Sequence, residues 1–196
     1  MQRSLLVIGS LFLLLSLPIM LLGQTSGQFG LKGGLNVSTL GGKESGYSAK
    51  LGYHAGLYVE KQYYQEIGVT IELLVSLQGA RVQGYDELKL NYTYLTLPIM
   101  ANIYFAKGAS VDLGLQGGYL LRAIQKDGGN KIDISEDVNK GDLGGIVGLS
   151  YLNHVRIGVR YVLGISNSNG TFFTFSSNSK NNVLQIYVAI PLKLFK

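Results

Sequence analysis

Few residues in this 196-residue chain are suited to acid–base or nucleophilic chemistry: there are two histidines, His54 and His154, and no cysteine. Without Cys there is no disulfide, no thiolate metal site and no thiol nucleophile. Ser48 and His54 come nearest to a hydroxyl paired with its base, the arrangement a lipid-modifying acyl-transfer enzyme would need. A nucleophile needs its base within hydrogen-bond reach and the base needs an orienting partner, and no third group stands out. We therefore assign no catalytic residue and read His54 as an interior side chain bonded to a neighbour. Asp127, Asp133, Glu136 and Asp137 gather in one polar stretch, but their spacing is not that of a calcium loop, and Lys126, Lys131 and Lys140 dilute their charge. No metal and no cofactor is expected, and no Gly-Lys-Ser/Thr follows a strand to cradle phosphate. Asn36-Val-Ser38, Asn91-Tyr-Thr93 and Asn169-Gly-Thr171 match the glycosylation sequon, the first two at strand positions.

The 17 Lys and Arg against 12 Asp and Glu give a net charge of +5, with the basic residues scattered singly along the chain. That is no footprint for nucleic acid, which is not expected as a partner. Charged residues make up 15% of the chain, below the roughly 25% of soluble domains. Hydrophobic residues make up 46%, which argues against disorder. Residues 1–23 carry Arg3 and then an apolar run from Leu5 to Leu22, broken by Gly9, Ser10, Ser16 and Pro18. This reads as a cleavable signal peptide, with cleavage after Gly23 or after Gly27, and leaves 24–196 as one domain. No other stretch approaches the ~18 uninterrupted apolar residues of a membrane-spanning helix.

Beyond Gln28 the chain has a period of two, which turns successive side chains to opposite faces of a strand. Runs at 28–37, 50–60, 66–78, 89–105, 111–121, 142–152, 155–163 and 183–195 predict eight strands. In the fourth run Leu90, Tyr92 and Tyr94 are even, whereas Leu95, Leu97, Ile99, Ala101, Ile103 and Phe105 are odd. Either a bulge near Tyr94 or Thr96 switches the parity there, with Pro98 at the irregularity, or Tyr92 and Tyr94 face the other side. The connections 38–49, 79–88, 122–141 and 164–182 are long and polar, and 61–65, 106–110 and 153–154 are short. Alternating long and short joints predict an up-and-down antiparallel barrel with its long loops at one end.

A soluble barrel such as a lipocalin buries the apolar face, and a membrane barrel turns it to lipid. Gly30, Gly34, Gly52, Gly56, Gly68, Gly114, Gly118, Gly144, Gly148 and Gly158 all share the polar face. A solvated wall has no use for them, but the narrow interior of an eight-stranded barrel does, since they leave room for long side chains. Lys32, His54, Glu72, Asp112, Arg156 and Arg160 are the expected interior polar network, with Lys193 also on that face. Charges of both signs can pair there, as ions removed from water must. The apolar face carries no charge, and it places Phe29, Phe105 and Tyr151 at the short-turn end and Tyr53, Tyr119 and Tyr161 at the long-loop end. Two aromatic belts match the two interfaces of a bilayer. The fold class is therefore all-β, an eight-stranded transmembrane β-barrel preceded by a signal peptide.

The opening Phe29-Gly-Leu-Lys-Gly-Gly-Leu-Asn-Val-Ser-Thr-Leu40 resembles the first strand of PorT-like outer-membrane barrel proteins, which begin Gly-x-Lys-x-Gly-x-Asn. Tyr94-Leu-Thr-Leu-Pro98 resembles their fourth-strand Tyr-Leu-x-x-Pro segment. The resemblance implies a barrel in the cell outer membrane, related in architecture to the small OmpA-like and OmpX-like barrels, with outer-membrane lipid as its surroundings. It also implies a non-enzymatic envelope or docking role in which another envelope or secretion protein is a partner. Leu194-Phe195-Lys196 departs from barrels that end on the aromatic itself. Phe172, Phe173 and Phe175, set among polar residues of the last long loop, are the candidate contact at the outer end. The alternatives are a narrow channel and a lipid-A-modifying enzyme.

Overall fold

The computed structural model describes residues 27–41, 47–82, 84, 88–127, 129–136, 138–166 and 180–192. The signal segment, Asp137, the Asn169 sequon, Phe172, Phe173, Phe175, Lys193 and the last three residues lie outside the described residues. The strands are β1 (Gly27–Gly41), β2 (Tyr47–Ser48), β3 (Lys50–Gln62), β4 (Ile67–Val82), β5 (Lys89–Ala106), β6 (Ala109–Asp127), β7 (Asn130–Asp133), β8 (Gly141–Leu152), β9 (Arg156–Gly164) and β10 (Lys180–Leu192). The eight long ones pair antiparallel in the order β1, β3, β4, β5, β6, β8, β9, β10. β10 returns to β1, from Phe29 opposite Leu192 to Gly41 opposite Lys180, and closes the ring. Closure pairs the backbone of every long strand on both sides, the condition for a sheet to cross lipid. β2 and β7 are short additions to β4 and β6 at the long-loop end.

The period of two holds within this ring. Leu35, Tyr53, Leu97, Leu115, Tyr119, Leu149, Ile157 and Ile186 are exposed on the outside, whereas Lys32, Asn36, His54, Glu72, Gln116 and Arg160 are buried inside. Phe105 and Tyr151 are exposed at the short-turn end and Tyr53, Tyr119 and Tyr161 toward the other, which gives two outward aromatic belts. Leu74, an apolar residue on the polar parity, faces inward and is fully buried.

The fourth run follows the second of the two readings above. β5 keeps one parity across the region in question: Leu90, Tyr92, Tyr94, Thr96, Met100 and Asn102 are all buried inside, and its own irregularity comes only at Phe105, between Tyr104 and Ala106. The bulge belongs to the neighbouring strand. Thr93 lies opposite Arg122 and Tyr94 opposite Leu120, so Leu121 of β6 is the extra residue. Pro98 shifts no register but interrupts the β4–β5 ladder between the pairs Ile71–Ile99 and Leu74–Thr96, where its missing N–H leaves no donor.

Part of what the sequence reads as long loops is strand. β4 runs to Val82, β6 runs to Asp127, and β7 folds back on β6 from Asp127–Asn130 to Ile124–Asp133. These segments escape the apolar-out pattern because they have left it. Their inward side chains form an apolar cluster of Leu40, Ala80, Leu90, Tyr92, Tyr94, Leu120, Ala123 and Val138, with Tyr47 and Ile134 packed on it.

Candidate functional site

The barrel interior holds the candidate site, and two ionic clusters occupy it at different heights. In the middle, Lys32 of β1, Glu72 of β4 and Arg160 of β9 meet across the lumen. Glu72 accepts from Lys32 Nζ at 2.6 Å through Oε1 and from Arg160 Nη1 at 2.9 Å through Oε2. Arg160 Nε donates to Gln185 Oε1 at 2.5 Å, and Gln185 Nε2 donates to Asn36 Oδ1 at 3.0 Å. His54 is joined through the same oxygen, with Nδ1 at 2.7 Å from Asn36 Oδ1. Since that oxygen only accepts, the Nδ1 proton is on the imidazole. The Tyr187 ring lies 3.3 Å from Lys32 Nζ, a cation–π contact made in a desolvated interior.

Nearer the short turns, Arg156 Nη2 donates to Glu60 Oε1 at 2.5 Å and Nη1 to Ser150 Oγ at 2.8 Å. Tyr104 donates its hydroxyl to the same Glu60 oxygen. Asp112 meets no cation directly. It accepts from Asn102 Nδ2 and Ser110 Oγ, both at 2.8 Å, and from the Tyr187 hydroxyl at 3.3 Å. Ser110 Oγ, 3.5 Å from Arg156 Nη1, links Asp112 to the second cluster. Of the six interior residues named from the sequence, the structure thus gathers Lys32, Glu72 and Arg160 around one carboxylate and attaches His54 through amides. Arg156 and Asp112 sit apart from that group.

Sequence reasoning passed over Glu60, Asn36, Gln185, Asn102, Tyr104 and Tyr187. Glu60 carried a signal, being on the polar parity of its run, but nothing along the chain says that it meets Arg156. Tyr187 shares the parity of Lys193, which the sequence places on the polar face, but nothing along the chain says that its ring covers Lys32. Glycines make these contacts possible. A Cβ on Gly158 would come within 2.5 Å of the Tyr187 ring, and one on Gly148 within 2.7 Å of Arg160 Cβ. The cavity bounded by Lys32, Glu60, Glu72, Asp112, Arg156 and Tyr187 is about 10 Å³, room for one water.

The other candidates stay separate. Ser48 lies on β2 opposite Arg81, while the Nδ1 of His54 is engaged by Asn36, so the two do not form a nucleophile–base pair. Asp133 is bonded by the Ser135 hydroxyl at 2.5 Å and by its backbone N–H at 3.0 Å, and it lies 3.5 Å from Arg122 Nε. Among the described residues no three His, Asp or Glu side chains are grouped to hold a metal.

A closed ring with lipid-compatible walls and a packed ionic interior is the arrangement of one known group. Residues 23–170 match the family model described as outer membrane protein beta-barrel domain. The chain belongs to that family. This outer-membrane barrel is similar in fold to the crystal structure of Neisserial surface protein A, with a TM-score of 0.57 at 11% identity, over 86% of this chain and 100% of that one. It is also similar to Ail, the attachment invasion locus protein of Yersinia pestis, with a TM-score of 0.52 at 14% identity, again over 86% and 100%. Ail in complex with the heparin analogue sucrose octasulfate aligns with a TM-score of 0.50 at 13% identity, over the same shares. At such identities the likeness shows the fold. No curated protein matches the chain by sequence. The barrel resides in the cell outer membrane, its apolar wall against lipid.

Proposed function

We propose that this barrel is a non-enzymatic envelope protein, a membrane-fixed support whose outer end docks another envelope or secretion protein. The observation that carries this reading is the filled interior. Lys32, Glu72, Arg160, Tyr187 and Gln185 meet across the lumen, and the cavity beside them is about 10 Å³. A monomer filled in this way supports no ion stream, and specificity is left to the long-loop end. There β2, β7 and the apolar cluster around Tyr94 build a structured platform, and Phe172, Phe173 and Phe175 are its candidate contacts. The Gly-x-Lys-x-Gly-x-Asn opening from Gly30 to Asn36 supports membership of the PorT-like branch, and with it an association with secretion. Residues 1–23 serve as the export signal and 24–196 as the barrel. The test is planar-bilayer recording of the purified monomer. No steady conductance is expected, and a stable open level would overturn the support reading in favour of a narrow channel.

A further inference from the structure

At the short-turn end the ring is not finished alike on all sides. Short turns join β3 to β4, β5 to β6 and β8 to β9, whereas no turn joins β10 to β1. Residues of all three turns, among them Glu66, Lys107 and Asn153, line an open cleft of about 550 Å³ that Gln62 and Tyr104 also border. β9 begins at Arg156, opposite Ala189, so below that level β10 has only β1 beside it. Among the described residues the β1–β10 ladder stops at Phe29–Leu192, yet β1 continues through Gln28 and Gly27, which pair on their other side with Glu60 and Lys61. Two positions of β1 therefore offer an open ladder edge at the place where residues 193–196 follow Leu192.

One thin layer separates the cleft from the packed lumen. Tyr104 lines the cleft and donates its hydroxyl to Glu60 Oε1, which also takes Arg156 Nη2 at 2.5 Å. Glu60 and Arg156 in turn bound the small cavity beside Lys32 and Tyr187. The other oxygen of Glu60, Oε2, is buried and has no hydrogen-bond partner among the described residues. Leaving a carboxylate oxygen so is costly, and it marks a place for one more donor.

The register supplies that donor. Continued by one residue, the ladder puts Lys193 opposite Gln28, and Gln28 lies opposite Glu60. Buried Gln185, Tyr187 and Ala189 give the odd positions of β10 the inward side, a parity that Lys193 and Phe195 share. Lys193 and Glu60 then stand on one face two strands apart, about 9.6 Å, which a four-carbon amine and a carboxyethyl group close between them. Phe195, two residues on, arrives at the level of Gln62, one of the residues lining the cleft. We propose that residues 193–196 occupy this cleft as a strap: Lys193 and Leu194 carry the ladder on to Gln28 and Gly27, the Lys193 ammonium binds Glu60 Oε2, and the Phe195 ring turns inward and closes the lumen at the short-turn end. The strap lies at the end opposite the docking platform and goes beyond that reading.

The chain has no cysteine, so introduced thiols report without background. In the full-length barrel refolded in detergent, Lys193→Cys with Gln28→Cys should form a disulfide under mild oxidation far more completely than Leu194→Cys with Gln28→Cys, which is one residue out of register. Equal yields overturn the continued ladder. The cleft is read by the rate at which a water-soluble maleimide labels Ala106→Cys, at a position that lines it. Adding Phe195→Ala should raise that rate several-fold, while Leu194→Ala, on the outward parity of the same segment, leaves it unchanged. An unchanged rate with Phe195→Ala overturns the proposal. Lys193→Met should also raise the rate and Lys193→Arg should restore it, and no effect of Lys193→Met refutes the bond to Glu60. A rate that rises with Gln24→Ala, Thr25→Ala and Ser26→Ala together, but not with Phe195→Ala, would make the segment before β1 the occupant. A rate that falls as protein concentration rises would make it a second copy of the chain, and either result overturns the strap. The heat-dependent gel shift restricts every comparison to folded barrels, which separates failed folding from an open cleft.

Discussion

Strands β4, β5 and β6 pass through two surroundings, and their two faces exchange roles between them. In the lower part of the barrel Ile99, Leu113 and Leu115 face outward and Asn102, Asp112 and Gln116 face the lumen. Above Leu77, Leu95 and Tyr119 the inward positions become Ala80, Leu90, Tyr92, Tyr94 and Ala123, all buried together. The outward ones become Arg81, Lys89, Asn91, Thr93 and Arg122, with Leu121 at the bulge and Ile124 the apolar ones among them. The backbone ladder is continuous across the change, so secondary structure does not cause it. Lipid accepts apolar side chains and rejects charge, and water does the reverse, so each part buries whichever face its own solvent disfavours. The lower part is held by ionic pairs that must all be satisfied, and the upper part by apolar packing like that of a small soluble domain.

The comparison breaks most sharply at Glu72. Its two oxygens hold Lys32 and Arg160, and Glu72→Ala leaves both buried without a counter-charge, at a cost of about 3–5 kcal/mol. The unfolding temperature of the variant in detergent, followed by the loss of the heat-dependent gel shift, should fall well below that of the wild type, and an unchanged value refutes an ionic lower interior. The wall offers a paired test. Leu115→Arg places a charge against hydrocarbon and should cost about 2–4 kcal/mol in guanidinium unfolding from lipid vesicles. Thr93→Arg, outward on the neighbouring strand but above the change of surroundings, should stay within about 0.5 kcal/mol. Equal costs would mean that the boundary is drawn in the wrong place.

The smallest effect concerns the β6–β7 hairpin. The Ser135 hydroxyl and N–H, ahead of the more distant Arg122, hold the Asp133 carboxyl below the usual carboxylate range. A depressed folded pKa means that this tie is fully present above the ordinary value of about 4 and is lost as pH falls through the folded pKa. Amide exchange of Ile134, whose N–H bonds the Ala123 carbonyl, should then speed up at acid pH relative to its intrinsic rate, while barrel amides hold steady. Asp133→Asn should flatten that dependence. The same acid sensitivity in the variant would assign it to another group.

Much of the lower part was legible because lipid enforces a strict alternation. The run from Ile67 to Leu77 shows its outward face in the sequence alone, and the glycines on the opposite face mark a lumen with little room. The upper part was not legible in this way. Residues 79–82 and 122–133 look like loops when the expected pattern is apolar outward, since there Arg81, Arg122 and Lys126 take the outward positions beside a lone Ile124, and Ala80, Ala123 and Ile134 turn inward to the cluster around Tyr94. The extra residue at Leu121 hid the change further, as it shifts the parity of β6 without leaving a turn signal.

Composition and period by themselves determined that this chain forms a closed antiparallel barrel, apolar outward, with charges of both signs inside, because each of these is a property of one strand against its solvent. Which charges meet was decided by the tertiary structure. Glu72 joins Lys32 and Arg160, Glu60 takes Arg156, and Asp112 is left to hydroxyls and an amide. A row of outward cations, Arg81, Lys89, Lys126 and Lys131, arises in the same way, from residues of four strands. The physical reason is stagger. Closing a tilted sheet sets the height of every strand relative to its neighbours, and the bulge at Leu121 resets it once more, so residues far apart in the chain share a level that no single strand encodes.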